Sequence, residues 1–386
     1  MISCQHRMLD DRIYKKEALT LSRAGYTVIH IGYGDCFKDY ITEDHIRIIQ
    51  LKKNKKGTTL RSKFSAFRQT MLTDLYNVAK NVSADVYHLH DVELCRIAGK
   101  LKKLPFHPKI IYDAHEPFCD NLKDYWRERS VMKVIFIDIP AVLSEKQVLK
   151  KADHLIATEE NVASRFRKKN PSTSVIYNYS YFYPKFSSYN SKIKEYDAIY
   201  CGSISESKGI FLIIDALIHC KKKGYEYKLV IVGDYNHPLL KSRIDAIIKT
   251  EKLEHNLFFT GKLPLEDVSG YYSKSKIGLC LFPKNRTNQL ILPIKLFEYP
   301  AFGLPIIGSN FGHIKNIIQL NKIGIMVDPH NPKEVASALI KLIEGDNYKK
   351  YTQICINCVK NNYLWESQKA KLVHIYEDLL KDNGKQ

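Results

Sequence analysis

The stretch YDAIYCGSISESKGIFLIIDAL, residues 196–217, has the pattern of a buried strand, a turn and a helix. Its first six residues are mostly apolar, and Gly202 follows them with a run of small polar residues. Lys208 and Gly209 then precede an apolar helical pattern. A short apolar run that gives way to a helix after a glycine turn is typical of a βα unit. The stretch therefore predicts an α/β fold.

The same alternation of short apolar runs and helical patterns continues over almost the whole chain. The runs are not polar on one side, as expected for parallel strands that helices cover on both faces. The pattern therefore predicts doubly wound parallel sheets. The predicted strands lie in residues 26–32, 84–90, 108–115, 154–158 and 174–178 of the first half, and in residues 196–203, 227–234, 256–261, 277–282, 304–309 and 323–328 of the second.

The length of the chain and one aperiodic stretch divide it into two domains. Its 386 residues exceed one typical domain and suit two. The stretch NYSYFYPKFSSYNSKIKEYD, residues 178–197, has neither a helical nor a strand period, which indicates a linker. We predict an N-terminal domain over residues 1–180, a linker over 181–195 and a C-terminal domain over 196–364. A last helix, within residues 365–386, is expected to pack back on the first domain.

The charge of the chain favours phosphates or anionic lipid as partners. It has 60 Lys and Arg against 41 Asp and Glu, a formal charge of +19. Residues 47–72 concentrate this charge and contain no acidic residue, while Leu60, Phe64, Phe67 and Met71 recur there at helical spacing. We expect a helix in this segment, either an ordinary surface helix or one that lies on an anionic membrane surface. No nucleic-acid-binding motif is present, so we expect no nucleic-acid partner.

The expected location is the cytoplasm, with peripheral attachment to the inner face of the cell membrane if the basic segment binds lipid. No apolar run is long enough to span a bilayer, and the N-terminus MISCQHRMLDDR lacks the basic and apolar regions of a signal peptide. The nine cysteines are scattered and odd in number, as expected for reduced core residues.

Two strand-to-helix turns in the second half place a cation where a phosphate group could bind. Lys208 stands at a helix start, where free N–H groups favour an anion, although a lone basic residue there is more often a solvated surface charge. In PIKLFEYPAFGLPIIG, residues 293–308, Lys295 and Glu298 share one side of a helix. The two side chains could form an intrahelical ion pair. Alternatively, they could bind a nucleotide, in which case the lysine contacts phosphate oxygens and the carboxylate accepts hydrogen bonds from a ribose diol. Pro300 should kink or end this helix.

Polar residues also follow two strands of the first half. DVYHLHD places His88 and His90 on one face of a strand, and YDAHE supplies Asp113 and His115. Such a group could hold a metal, which makes a metal-dependent hydrolase one hypothesis, while hydrogen-bonded structural histidines are the plainer interpretation. No D-x-D triplet occurs in the sequence. Its absence argues against a metal held by that motif to bind a nucleotide diphosphate.

Taken together, these motifs resemble the family 4 retaining glycosyltransferases, in the same order over nearly the whole chain. The likeness is carried by YCGSISESKGIFLIIDAL, PIKLFEYPAFGLPIIG, IGIMVDPHNPKEVASALIKLI, DDRIYKKEALTLSRAGYTVI, DVYHLHD, YDAHE and KKADHLIATEENVASRF. The likeness is greatest to the bacterial enzymes that assemble capsule, O-antigen and exopolysaccharide. The resemblance implies a GT-B fold, in which two Rossmann-like domains face each other across a cleft. It also implies sugar transfer that needs no metal and retains the anomeric configuration.

The resemblance assigns roles to individual residues as well. It implies that Glu298 holds the ribose hydroxyls and that Lys208 neutralises the diphosphate leaving group as the glycosidic bond breaks. It also implies that His115 lies near the transferred sugar and its reacting centre. The residues that it assigns to the acceptor side are His6, Asp11 and Arg12.

The chain departs from the family pattern at three places, and the first two concern the sugar contact and the N-terminus. Leu290 stands eight residues before Glu298, where the family often has a glutamate. The contact to the sugar ring is therefore expected from Asn288 or from backbone N–H groups of residues 288–292. At the N-terminus, MISCQH reaches the family's first loop after about four residues, so that the first strand is short or the true start lies upstream.

The third departure concerns the phosphate group. Ser203 follows Gly202 where many family members have an arginine. We therefore expect Lys208 to carry more of the phosphate charge, with Lys295 or Arg286 as substitutes for the arginine.

The expected activity is that of a hexosyltransferase which uses a nucleotide-diphosphate sugar and needs no cofactor or metal. The expected acceptor is a saccharide, carried on a polyprenyl-diphosphate lipid, in surface polysaccharide biosynthesis. Three alternatives stay open. They are a nucleotide-sugar epimerase on the same fold, a protein that only binds the nucleotide, and a metal-dependent hydrolase that uses His88, His90, Asp113 and His115.

Overall fold

The structure is a computed structural model that describes residues 1–53, 67–115, 134, 138–180, 194–345 and 348–381. The chain divides into two compact units. Unit 1 consists of Met1–Asn178 together with Glu366–Gln386, and unit 2 consists of Tyr179–Trp365. Most of the predicted linker falls in residues 181–193, outside the described residues.

Unit 1 contains seven named strands, most of them parallel. They are β1 (Ile29–Gly34), β2 (Lys38–Ile41), β3 (Arg47–Lys52), β4 (Val86–Leu89), β5 (Lys109–Ala114), β6 (His154–Ala157) and β7 (Thr173–Val175). One sheet has the order β1-β3-β2 and the other the order β4-β5-β6-β7. Every pair is parallel except β2 with β3. The parallel strands that the apolar runs predict are therefore confirmed.

Ile2 joins these two sheets. It forms a parallel bridge to Ile31 of β1 on one side and to Leu89 of β4 on the other. Its N–H donates to the carbonyl of His88 at 2.8 Å, and its carbonyl accepts from the N–H of His90 at 3.1 Å. The first residues of the chain therefore act as a very short strand at the centre of unit 1, as the sequence MISCQH allows.

Helices cover the strands of unit 1. A π-helical turn (Ile13–Ala18) leads into α1 (Leu19–Arg23), and the other helices are α2 (Phe67–Val82), α3 (Cys95–Leu101), α4 (Ile139–Lys151), α5 (Glu160–Arg167) and, at the end of the chain, α14 (Glu366–Lys381). Ile375, Tyr376 and Leu379 of α14 are buried. The Tyr376 hydroxyl lies 2.9 Å from Nδ1 of His88, so the last helix is tied to the carboxyl end of β4.

The basic segment 47–72 is helical from Phe67 onward, as expected, but it begins with a strand that the sequence pattern does not predict. Its first six residues form β3, which pairs with β1, and residues 54–66 lie outside the described part of the chain. Met71, in α2, is half-buried against the core of unit 1. This contact favours an ordinary surface helix whose apolar side faces the core. Pairing with β1 outweighs the local pattern at residues 47–52. Among the helices that the structure describes, none is long and apolar enough to cross a membrane.

Unit 2 has one parallel sheet of six strands in the order β10-β9-β8-β11-β12-β13. The strands are β8 (Tyr196–Cys201), β9 (Leu229–Val232), β10 (Leu257–Gly261), β11 (Ser275–Cys280), β12 (Ile306–Ser309) and β13 (Gly324–Val327). Each lies within a predicted run or within two residues of it. Because β8 and β11 are central, the residues that follow them meet at the same edge of the sheet.

The helices of unit 2 alternate with these strands. They are α6 (Ile210–Lys222), α7 (Pro238–Thr250), α8 (Leu265–Lys274), α9 (Arg286–Leu290), α10 (Lys295–Ala301), α11 (Gly312–Asn321), α12 (Pro332–Ile343) and α13 (Tyr348–Asn362). The seven-residue helix α10 ends one residue after Pro300, which confirms that the proline allows only a short helix here.

Gly278 of β11 lies under the ring of Tyr299, which projects from α10. A Cβ built on this glycine would stand 2.2 Å from the ring, far inside van der Waals contact. The hydroxyl of Tyr299 accepts from the N–H of Cys201 at 3.0 Å and donates to the carbonyl of Leu279 at 3.3 Å. The absence of a side chain at Gly278 therefore sets how closely α10 approaches the sheet.

We expect Gly278→Ala to lower the free energy of unfolding by about 1–3 kcal/mol, because the added methyl group overpacks the contact with Tyr299. Gly270→Ala is the matched control, since Gly270 lies in α8 and a Cβ there has nothing within 4 Å. The control should be neutral or stabilising by about 1 kcal/mol. Urea unfolding followed by circular dichroism measures both. Equal stability of the two variants would contradict this packing account.

Candidate functional site

The turn after β8 needs glycine at two positions. Gly202 has φ +144° and donates its N–H to the carbonyl of Val232 at 2.9 Å. Gly209 caps α6 in the left-handed conformation with φ +79°, and a Cβ there would stand 2.3 Å from the carbonyl oxygen of Leu281. Between them Lys208 ends a single turn of 3₁₀ helix, Glu206–Lys208. The start of α6 is thereby held close to the end of β11.

Lys295 is the first residue of α10 and is only 8% exposed. Its ammonium nitrogen lies 4.2 Å from the ring centroid of Tyr200 and 5.4 Å from that of Phe282. The ammonium of Lys208 lies 5.1 Å from the same Phe282 ring. Burial lowers the pKa of Lys295, and the neighbouring Lys208 adds to this effect. Two cations thus flank one aromatic ring, where an anion would stabilise both.

Glu298, on the next turn of α10, is held by a residue that sequence reasoning missed. Its Oε2 accepts a hydrogen bond from the hydroxyl of Tyr272 at 2.9 Å. Tyr272, in α8, is buried and packs its ring against Tyr299 and Phe302. Because burial and the Glu298 carboxylate disfavour the phenolate, the pKa of Tyr272 is raised well above its usual range. It therefore remains a hydrogen-bond donor to Glu298.

The other residues predicted for this site differ in how deeply they are buried. Asn288 is buried, and its side-chain amide donates to the carbonyls of Pro283 at 2.8 Å and Ser207 at 3.3 Å. It thereby links the loop after β11 to the turn that carries Lys208. Ser203 is exposed and Leu290 is half-buried. Gly202 lies next to Lys295, since a Cβ on Gly202 would stand 3.3 Å from Nζ of Lys295.

In unit 1, His6 lies between two carboxylates. Its Nδ1 is 3.4 Å from Asp10 and its Nε2 is 3.3 Å from Asp91. Burial alone would lower the pKa of His6, but the hydrogen bonds to Asp10 and Asp91 raise it to about 10. The His6 ring packs on the ring of His115 with centroids 4.7 Å apart. His6 is therefore an imidazolium at neutral pH and places a positive charge beside His115.

Behind His115 lies a fully buried group of charged and titratable side chains. The Arg12 guanidinium contacts Asp113 through Nη2 at 2.9 Å and Glu17 through Nε at 3.0 Å. His88 and His90 stack with ring centroids 4.2 Å apart and face the same two carboxylates. Burial, opposed by Arg12, raises the pKa of Glu17 well above its usual range.

The structure gives Arg12 and Asp11, two residues predicted for the acceptor side, different surroundings. Arg12 is only 4% exposed, and Nη1 also donates to the carbonyl of Ile176 at 3.0 Å, so Arg12 serves the interior of unit 1 rather than an exposed acceptor surface. The sequence pattern could not show this, because Asp113 and Ile176, two of the partners of Arg12, lie 101 and 164 residues further along the chain. Asp11 is exposed and pairs with Lys15 at 3.3 Å.

The sequence matches a known protein family over the part of unit 2 that holds Lys208, Lys295 and Glu298. Residues 184–360 match the family model of glycosyl transferases group 1. An uncharacterized glycosyltransferase of Methanocaldococcus jannaschii is 25% identical over half of this chain, and the amylovoran biosynthesis glycosyltransferase of Erwinia amylovora is 25% identical over 37% of it. The matched parts span 47% and 35% of those relatives, so less than half of their length is represented.

Solved structures cover more of the chain. Sucrose-phosphate synthase from Thermosynechococcus elongatus superposes with a TM-score of 0.70 and 16% identity, covering 95% of this chain and 92% of that one. HepE of Anabaena, solved in complex with UDP and glucose, gives a TM-score of 0.70 and 13% identity, covering 98% and 99%. This chain has the GT-B fold. Lys208, Lys295 and Glu298 all lie in the part of this GT-B chain that the family model matches.

We expect Arg12→Met to lower the free energy of unfolding by about 3–5 kcal/mol, because it leaves the Asp113 and Glu17 carboxylates buried beside no guanidinium. Lys15→Met is the matched control, since it removes the pair of Lys15 with exposed Asp11, which should cost less than about 1 kcal/mol. Thermal unfolding followed by circular dichroism compares the two. If Arg12→Met were as mild as the control, the structural role of Arg12 would be wrong.

Proposed function

We propose that this protein is a retaining glycosyltransferase that moves a hexose from a nucleotide-diphosphate sugar, the donor, to a saccharide acceptor. The observation that carries the proposal is the convergence of Lys208 and Lys295 on the ring of Phe282, beside the start of α6. A diphosphate carries the charge that these two cations and the helix start would bind. The family match over residues 184–360 supports the same conclusion.

The donor has a second group that fits this site. A ribose diol would donate hydrogen bonds to the carboxylate of Glu298, which Tyr272 holds in place. Lys295 and Glu298 belong to one helix, so the phosphate and ribose contacts would be set by a single rigid element. Asn288 is a less favourable partner for the sugar ring than expected, because its amide N–H groups already donate to backbone carbonyls.

During transfer, negative charge develops on the diphosphate as the bond to the anomeric carbon breaks. Lys208 and Lys295 would stabilise that charge in a partly dehydrated setting, where each is worth more than in water. We assign the transferred sugar to His115 and the acceptor to His6 and Asp11 on the resemblance alone. The sequence contains no D-x-D triplet, and we propose that the transfer step needs no metal.

For the acceptor, we propose a polyprenyl-diphosphate-linked saccharide in surface polysaccharide biosynthesis. The formal charge of +19 suits the surface of an anionic membrane, and the Erwinia relative is named for the synthesis of an exopolysaccharide. Retention of protein on anionic vesicles at low salt, lost at high salt, is the expected behaviour.

A hydrolase built on His88, His90, Asp113 and His115 is less favoured. The first three of these side chains are fully buried, whereas a catalytic metal needs an open position.

Lys208→Ala and Glu298→Gln should each weaken binding of UDP or GDP roughly 10- to 100-fold, through loss of a charge-assisted hydrogen bond. Lys241→Ala is the control, because Lys241 lies on the surface of α7 and pairs with Asp245. A thermal-shift screen with UDP, GDP and their sugars identifies the nucleotide, and calorimetry measures the affinities. Donor turnover that requires added acceptor supports transfer, whereas acceptor-independent isomerisation of the donor would favour an epimerase.

Donor affinity should fall as the pH rises, and earlier than expected for an ordinary lysine. The charged form of Lys295 binds the diphosphate, and burial lowers the pKa of this group, so raising the pH removes the charge sooner. Calorimetric titration with the nucleotide between about pH 7.5 and about pH 10 measures the decline. Lys295→Arg keeps its charge over that range and should flatten the profile. An identical decline in both proteins would contradict the role of Lys295.

A further inference from the structure

Four side chains of unit 1 bring potential metal ligands to one point. Glu17, His88, His90 and Asp113 each offer one ligand atom, and these atoms all lie within 4.8 Å of one another. Nε2 of His88 is 4.0 Å from Oε2 of Glu17 and 3.9 Å from Oδ2 of Asp113. Nδ1 of His90 is 3.7 Å from each of the same two oxygens. Two imidazoles and two carboxylates therefore surround a common centre.

The hydrogen-bonding capacity of this cluster is not used up. Oε1 of Glu17 pairs with Nε of Arg12 at 3.0 Å, whereas within the described residues Oε2 of Glu17 and Nε2 of His88 are buried and make no hydrogen bond. Nε2 of His90 is in the same condition, while its Nδ1 lies 3.3 Å from Nε2 of His115, a long contact. Buried polar atoms without partners are rare in folded proteins and often indicate an ion or water. Here two such atoms, Oε2 of Glu17 and Nε2 of His88, lie 4.0 Å apart within the cluster.

The surroundings orient the ligands as in known metal sites. Nδ1 of His88 lies 2.9 Å from the hydroxyl of Tyr376, so a hydrogen bond there can leave the lone pair of Nε2 directed toward the carboxylates. Arg12 contacts both Asp113 and Glu17. When both carboxyl groups are ionised, as metal binding requires, the single positive charge of Arg12 balances only one of them.

We propose that Glu17, His88, His90 and Asp113 bind one divalent transition-metal ion, for which zinc is the best fit, in a closed structural site. Two imidazole nitrogens and two carboxylate oxygens form a ligand set that zinc accepts with tetrahedral geometry. Bonds of about 2.1 Å place tetrahedral ligands about 3.4 Å apart. The four imidazole-to-carboxylate separations of 3.7–4.0 Å would close to this value with shifts of a few tenths of an ångström, and all the ligand atoms already lie within 4.8 Å of one another.

Such an ion would connect parts of unit 1 that are distant in sequence. Glu17 lies before α1, the two histidines lie at the end of β4, and Asp113 lies in β5. Through Tyr376 the same site would reach α14, the last helix of the chain. Because the ligands are buried, the ion would serve stability rather than the transfer step. The proposal is therefore independent of the donor site in unit 2.

Metal analysis of the full-length protein, prepared without a polyhistidine tag from medium that contains zinc, tests this proposal. We expect about one zinc per chain in the wild type and a loss of at least tenfold in His88→Gln. His30→Gln is the control, since His30 is another buried histidine of unit 1 with an unpartnered Nδ1, and its Nε2 contacts Ser3. The control should keep the metal. Less than about 0.1 equivalent of any transition metal in the wild type would overturn the proposal.

A second measurement applies even if His88→Gln fails to fold. Wild-type protein stripped with a chelator should melt at a lower temperature, recover on addition of zinc, and give the visible absorption of tetrahedral Co²⁺ when cobalt replaces it. A melting temperature that neither chelator nor zinc changes would overturn the proposal. It would indicate that Glu17 and Asp113 share a proton instead.

Discussion

Burial of the Lys295 ammonium is the constraint on which the site in unit 2 depends. Removing a charge from water is costly, and the faces of Tyr200 and Phe282 recover only part of that cost. Within the described residues, Lys295 has no hydrogen bond or ion pair that would make up the rest. An anionic ligand would recover the rest of that cost, which is why we propose the diphosphate of the donor as the partner of Lys295. Lys208 lies beside the same Phe282 ring, and Tyr272 holds Glu298 in place.

Much of unit 2 could be predicted from the sequence, because its signals are local. The apolar runs indicate the six parallel strands, and the turn before α6 is visible from Gly202, Lys208 and Gly209. Tyr272 could not be found in this way. It lies 26 residues from Glu298 in a different helix, and only packing against Tyr299 and Phe302 brings its hydroxyl to the carboxylate.

Unit 1 was harder to predict, because its decisive contacts are long-range. The hairpin of β2 and β3 was missed, since residues 47–52 become a strand through pairing with β1. The sequence predicts a group of His88, His90, Asp113 and His115, and the structure brings these side chains together. Glu17 and Tyr376 join the group from distant parts of the chain. The same contacts change the meaning of Arg12, which the resemblance assigns to the acceptor and the structure uses as a buried counter-ion.

The central claim is that Lys295 is kept buried to bind the diphosphate of a nucleotide. A comparison of UDP with uridine tests it most directly, in the wild type and in Lys295→Met, by calorimetry at neutral pH, with GDP and guanosine used instead if the protein prefers guanine. If the claim is correct, the substitution weakens binding of the diphosphate at least tenfold and leaves the affinity for the nucleoside unchanged. Equal effects on both ligands, or no effect on either, would contradict it.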